Sequence, residues 1–166
     1  MVVLKTIGFL LGLCLLSIAA SIHFGHTNPS PSDWIAFQSN HGGNWDIYRM
    51  RPDGTHQQRL TTATADDMNA VWSPDSAWIA FQSERNGNFD IFKMRPDGSE
   101  VQQLTSSPDN EQNPTWSPDA KWIVFQSSRV GSNDIFRVRA DGSRYQQLTA
   151  HPANDENPAW SPDGGW

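Results

Sequence analysis

The chain has 166 residues, 12 Lys and Arg against 18 Asp and Glu, and a formal net charge of −6 with a pI near 5.2. That balance argues against a general nucleic-acid binder, which carries a basic patch. A charged fraction of 18% with a mean hydropathy of −0.58 fits a folded, soluble chain rather than a charge-dominated disordered one. Eight Trp and eight Phe supply enough large apolar rings for a core, each able to bury about 150–250 Å². The sole cysteine, Cys14, lies in the N-terminal apolar stretch, so no disulfide framework or cysteine-based metal site is expected after it.

Residues 1–22 carry a single charge, Lys5, ahead of the run Thr6-Ile-Gly-Phe-Leu-Leu-Gly-Leu-Cys-Leu-Leu-Ser-Ile-Ala-Ala20. These are the n-region and h-region of a secretory signal. Small residues at Ser17, Ala19, Ala20 and Ser21 offer cleavage positions, and an uncleaved membrane anchor is the alternative. Cys14 follows Leu13, where a lipid-attachment pattern would place a small residue. Residues 23–33, polar and Pro-rich, read as a flexible linker.

From Trp34 the chain repeats with a period of 44: residues 34–77, 78–121 and 122–165 superpose without a gap, and 19 positions are identical in all three. Such a period means stacked structural units. In the second copy, Trp78-Ile-Ala-Phe-Gln-Ser83 reads as a strand, Glu84 to Asn88 as a hairpin loop and Phe89-Asp-Ile-Phe-Lys-Met94 as the return strand. Arg95-Pro-Asp-Gly98 is a tight turn. Val101-Gln-Gln-Leu-Thr105 is a third strand, and Asn113-Pro-Thr-Trp116 a short fourth before the Ser117-Pro-Asp turn. Apolar residues fall on both faces of Trp78-Ile-Ala-Phe81, so both faces need a cover, and neighbouring repeats have to supply it.

These features predict an all-β chain of four-stranded antiparallel β-propeller blades, three repeats over 34–166, after an N-terminal signal or anchor helix. A linear β-solenoid is the runner-up. The residues also resemble the TolB-like β-propeller family. The resemblance lies in Trp72-Ser-Pro-Asp75, Trp116-Ser-Pro-Asp119 and Trp160-Ser-Pro-Asp-Gly164, in Ile35-Ala-Phe37, Ile79-Ala-Phe81 and Ile123-Val-Phe125, and in Asp46-Ile-Tyr48, Asp90-Ile-Phe92 and Asp134-Ile-Phe136. It implies a periplasmic or secreted module that binds protein, since similar blades occur in a periplasmic envelope protein and in the gating propellers of prolyl-oligopeptidase-type and tricorn-like peptidases.

Counting strands, residues 34–61 give three strands of one blade, 69–105 and 113–149 give two complete blades, and Asn157-Pro-Ala-Trp160 gives the first strand of another. Propellers typically have 4–8 blades. Either the sequence is part of a longer propeller, or copies associate to close the ring, for instance two making six blades.

Asp46, Asp90 and Asp134, one per repeat beside a hairpin, are expected to accept backbone and side-chain hydrogen bonds rather than to catalyse. Asp75, Asp119 and Asp163, each following a repeated tryptophan (Trp72, Trp116, Trp160), and Asp53, Asp97 and Asp141 fall in turns where a carboxylate caps nearby amides. The spacing of an EF-hand-type calcium loop is absent, the five histidines show no zinc spacing, and no Gly-x-Ser-x-Gly elbow, phosphate loop or His-Glu-x-x-His stretch occurs. No metal, cofactor or catalytic residue is expected. The hairpin loops vary between repeats and are the binding candidates, with His41, Trp45, Arg85 and Arg129 near one rim. Loops 62–68, 106–112 and 150–156 are acidic and polar and read as solvent-exposed.

The expected function is that of a non-catalytic extracytoplasmic binding module for a protein or peptide partner. No nucleic-acid partner is expected, and membrane contact would come only through an uncleaved leader. The alternative is part of the gating propeller of a secreted prolyl-oligopeptidase-type peptidase; a glycan-binding propeller using exposed aromatics such as Trp45 is a third reading.

Overall fold

A computed structural model describes residues 33–164. The signal or anchor segment 1–22, most of the linker and Trp166 lie outside the described residues. Within them, strands β1 (Ile35–Ser39), β2 (Asp46–Met50) and β3 (Gln58–Arg59) form a three-stranded sheet. Strands β4 (Asp67–Trp72), β5 (Ile79–Ser83), β6 (Asp90–Met94) and β7 (Gln102–Gln103) form a four-stranded sheet, and β8 (Glu111–Trp116), β9 (Trp122–Ser127), β10 (Asp134–Arg139) and β11 (Gln146–Gln147) another. All neighbouring strands are antiparallel and follow chain order, as in up-and-down blades 1, 2 and 3. No helix among the described residues is long and apolar enough to cross a membrane.

The central hairpins owe their register to cross-strand aromatic pairs. Phe37 faces Tyr48, Phe81 faces Phe92 and Phe125 faces Phe136. The rings stack with centroids 5.5, 5.8 and 6.2 Å apart, the kind of pairing that stabilises a sheet by up to about 1 kcal/mol. The outermost strands, β3, β7 and β11, are only two residues long, shorter than the stretch Val101–Thr105 read from the sequence. Their exposed glutamine and arginine side chains blunt the outer edge against further pairing.

Two turns recur. In the Asp-Gly turn, preceded by proline in blades 1 and 2 and by Ala140 in blade 3, Asp53 accepts from the Thr55 amide at 2.9 Å, and Asp97 and Asp141 accept from the Ser99 and Ser143 amides at the same distance. In the Ser-Pro-Asp turn, the Ser73 and Ser117 hydroxyls donate to Asp75 and Asp119 at 2.6 Å and accept from the Trp78 and Trp122 amides at 2.9 Å. Asp163 stands exposed in the third such turn, closed by Gly164 N–H to the Ser161 carbonyl at 3.0 Å.

Blades stack face to face. Ile47 and Leu60 of blade 1 pack on Ile79, Phe81, Phe92 and Met94 of blade 2. The same positions one repeat on, Ile91 and Leu104, pack with Ala80 on Ile123, Phe125, Phe136 and Val138 of blade 3. Covered from both sides, β5 and β6 are buried along their whole lengths, whereas β10 alternates between buried and half-buried.

The structure corrects two expectations. Residues 157–160 are not a strand, because among the described residues no neighbouring strand lies beyond them to supply a ladder of hydrogen bonds. The inner strands also begin earlier than expected, at Asp67 and Glu111, so the loops before them are not uniformly exposed. Both of those carboxylates are fully buried.

Candidate functional site

The innermost strand of each complete blade carries a bulge, between Met68 and Val71 in β4 and between Gln112 and Thr115 in β8. The extra residue is an asparagine in the left-handed region, Asn69 or Asn113, both at φ 55°, and Asn157 follows at φ 54°. Asparagine tolerates this conformation better than other residues with a Cβ. The bulges aim these amides at one another. Asn69 Nδ2 donates to Asn113 Oδ1 at 2.6 Å, and Asn113 Nδ2 to Asn157 Oδ1 at 3.0 Å.

Glutamines from the second strands lock the ladder. Gln82 Oε1 accepts from the Asn113 amide at 3.0 Å and from Asn69 Nδ2 at 2.9 Å; Gln126 Oε1 accepts from the Asn157 amide and from Asn113 Nδ2. Gln38 accepts from the Asn69 amide at 2.8 Å. Beside the ladder, Ala70, Val71, Pro114, Thr115 and Pro158 line a shallow recess spanning all three repeats. Its wall offers amides and small apolar groups without a charged side chain.

A second cluster lies at the hairpin loops. The Arg85 guanidinium is turned inward over Phe92, 4.5 Å from its centroid, and donates to Asp67 Oδ1 at 3.0 Å and to Ser83 Oγ at 2.8 Å. One repeat on, Arg129 lies 4.0 Å over the Tyr145 ring and pairs with Glu111. Only 25% and 27% of the two arginine side chains is exposed. The Tyr145 hydroxyl donates to the same Glu111 oxygen at 3.0 Å. Burial outweighs the neighbouring guanidinium and holds the Glu111 carboxyl above its ordinary range. Burial, reinforced by the Glu111 charge, raises Tyr145 as well, so its hydroxyl stays a donor.

His41, at the matching position of blade 1, is exposed and stacks on Tyr48 at 6.1 Å. Trp45 is half-buried, its amide bonded to Asp66 Oδ1 at 2.9 Å. The four rim candidates are therefore spread along successive blades, one per loop for His41, Arg85 and Arg129, and the two arginines are already engaged by buried carboxylates.

The repeated aspartates between these clusters are buried acceptors. Asp46 pairs with Arg59 at 2.6 Å, Asp90 accepts from Gln103 at 3.0 Å and from the Ser107 amide, and Asp134 accepts from Thr149 and the His151 amide at 3.3 Å. Burial raises Asp90 above the usual carboxylate range. Among the described residues no three His, Cys, Asp or Glu side chains gather to hold a metal ion.

Neither the amide ladder nor the buried Asp67 and Glu111 stood out in the sequence as sites. The signal was present: asparagine at 69, 113 and 157 and glutamine at 38, 82 and 126 are invariant between repeats, and positions 67, 111 and 155 are all acidic.

The family model for the TolB beta propeller domain matches residues 27–165. Among solved structures, one assigned as TolB from Agrobacterium tumefaciens is similar at 26% identity with a TM-score of 0.69, covering 80% of this chain and 52% of its own. TolB from Acinetobacter baumannii follows at 24% identity and 0.67, covering 80% of this chain and 33% of its own. A puromycin-hydrolysing peptidase from Mycobacterium tuberculosis shares the fold at 16% identity and 0.55, covering 69% of this chain and 19% of its own. This chain thus spans about half of the first of these proteins and a third of the second. No curated protein sequence matches it. Blade pattern, motif positions and family match agree, and the chain belongs to the TolB beta propeller domain family.

Proposed function

We propose that this protein is a non-catalytic, extracytoplasmic binding module that takes an extended protein or peptide segment against the axial recess formed by β4, β8 and residues 157–158. The observation that carries this reading is the uncharged amide wall of Asn69, Asn113 and Asn157, set among small apolar side chains. Peptide backbone, with one donor and one acceptor per residue, is the natural partner of such a wall. The leader-like sequence at 1–22 and the TolB relatives support an extracytoplasmic location.

The hairpin rim with His41, Trp45, Arg85 and Arg129 is a second contact surface in this proposal; there the arginines act by holding loop shape through Asp67 and Glu111. A second copy of the chain is the other partner, on the open blade faces. The likeness to a peptidase concerns the fold alone.

Panning a displayed peptide library on the purified full chain tests the reading. Selected peptides should lose at least tenfold in affinity to Thr115→Arg, which fills the recess, and should be bound without being cleaved. Cleavage of the peptides, or affinity indifferent to Thr115→Arg, contradicts it.

A further inference from the structure

Asp46, Asp90 and Asp134 occupy the same position in the three blades, but what covers each carboxylate differs. In blade 1 the covering group is a cation of the chain itself, with Arg59 Nη2 lying 2.6 Å from Asp46 Oδ2. Gly42 leaves room for it, since a Cβ there would stand 3.4 Å from Arg59 Nη1 and 3.5 Å from Asp46 Oδ2. In blade 2 the matching residue is Gln103, whose Nε2 donates to Asp90 Oδ2 at 3.0 Å. The arginine charge is gone there, and one hydrogen bond remains.

Blade 3 keeps neither. Asp134 is 1% exposed, and among the described residues it makes no ion pair. Gln147 holds the position of Arg59 and Gln103 but does not bond to it; the donors on Asp134 are Thr149 Oγ1 and the His151 amide, both 3.3 Å from Oδ1, and Ser132 Oγ, 3.4 Å from Oδ2. The single Ser132 hydroxyl proton has a nearer acceptor in the His151 carbonyl, at 3.0 Å. Oδ2, the oxygen that Arg59 and Gln103 cover in the other two copies, is therefore left without a short donor. A carboxylate taken out of water in this way is costly until a partner compensates it.

A recess of about 250 Å³ opens at this carboxylate, with Gln147 and Ser132 on its polar side and Val130, Ala150 and Pro152 on its apolar side. Two replacements shape it. Ser132 stands where blades 1 and 2 have the longer Asn44 and Asn88, and Val130 stands where they have Gly42 and Asn86. At 53%, Val130 is the most exposed large apolar side chain among the described residues. The recess lies on the hairpin rim, and stacking of a further blade does not cover that edge: in blade 2, on which blade 3 packs, the matching Asn86, Gln103 and Ser106 stay exposed.

We propose that this recess is a subsite for a guanidinium on a short apolar stem, either the arginine side chain of a partner polypeptide or a small guanidine. The guanidinium takes the place on Asp134 that Arg59 holds on Asp46, and its methylenes lie along Val130, Ala150 and Pro152. A planar fork of donors with an apolar stem matches a buried carboxylate beside an apolar lip. The subsite shares no lining residue with the axial recess and does not rest on peptide binding there.

Nuclear magnetic resonance titration of the purified full chain with Nα-acetyl-arginine amide tests this, with Nα-acetyl-citrulline amide as the neutral counterpart. The Ala150 and His151 amide signals should shift saturably with the arginine compound, and the citrulline compound should bind about tenfold more weakly or worse, the loss expected for a hydrogen bond to a charged group. Asp134→Asn should abolish that preference. Because this change touches a buried group, Val130→Gly with Gln147→Arg is the companion variant. It rebuilds the blade 1 arrangement, keeps Asp134, and should lose affinity by about tenfold or more because the recess is filled from within. Thr115→Arg, in the axial recess, should leave the titration unchanged. Tighter binding of an alanine-flanked arginine pentapeptide than of ethylguanidinium identifies a polypeptide source, and the reverse order a small guanidine; both support the subsite. No saturable shift, equal affinity for the citrulline compound, or binding unchanged in the rebuilt variant overturns the proposal.

Discussion

Gly98 of blade 2 lies so close to Leu60 of blade 1 that a Cβ built on it would stand 2.6 Å from the Leu60 carbonyl oxygen, with the glycine at φ 86°. The turn residue and the core leucine of adjacent blades thus fix how tightly two sheets stack. Gly54, at φ 81°, has the same backbone conformation but nothing beside it. Gly54→Ala should cost only the left-handed strain of about 1–2 kcal/mol. Gly98→Ala should cost clearly more, because backbone has to move. Urea unfolding of the two variants makes the comparison.

Removing Leu60 tests the packing beside that turn. Leu60→Ala empties a site between blades 1 and 2 and should destabilise by about 2–5 kcal/mol, whereas Leu148→Ala at the half-exposed matching position should cost under ~1 kcal/mol. Thermal unfolding at fixed concentration reads the difference.

Arg85 and Asp67 form a pair whose carboxylate is fully buried and whose guanidinium is a quarter exposed. Arg85→Ala leaves the carboxylate without its counter-charge and should cost about 3 kcal/mol, near the lower end for a broken buried pair. The double variant Arg85→Ala with Asp67→Asn should recover part of that loss. A full loss unchanged in the double variant would show that the arginine acts through packing on Phe92 alone.

The Ser-Pro-Asp turns predict an acid-sensitive contribution to stability. The hydroxyls of Ser73 and Ser117, and then the amides of Ala77 and Lys121, hold Asp75 and Asp119 below their ordinary value of 3.8. A carboxyl lowered in the folded state stabilises fully above its unfolded value, and that contribution is lost as pH falls through the folded one. Asp75→Asn with Asp119→Asn should therefore lower Tm at pH 7, and the gap to the parent should close as pH drops below 3.8.

Much of this was legible in the sequence, because a gapless repeat states the same structural solution three times. Trp72, Trp116 and Trp160, the Pro-Asp-Gly turns and the Phe pairs mark strand ends and register by residue chemistry alone. What the sequence left hidden depends on the third dimension. Asp67 and Glu111 look like members of polar loops, and only the inward swing of Arg85 and Arg129 over Phe92 and Tyr145 makes their burial tolerable. Residues 157–160 carry the inner-strand signature, yet a strand exists only where a neighbour accepts its hydrogen bonds. The asparagine ladder required the bulges that tip Asn69 and Asn113 into left-handed conformation, which residue identity alone does not announce.

Hydrogen exchange of the full chain with and without a selected peptide tests the central claim most directly. The account predicts slowed exchange in β4 and β8, at residues 67–72 and 111–116, with the outer strands β7 and β11 unchanged. Protection confined to the outer strands, or none at saturating peptide, would contradict it.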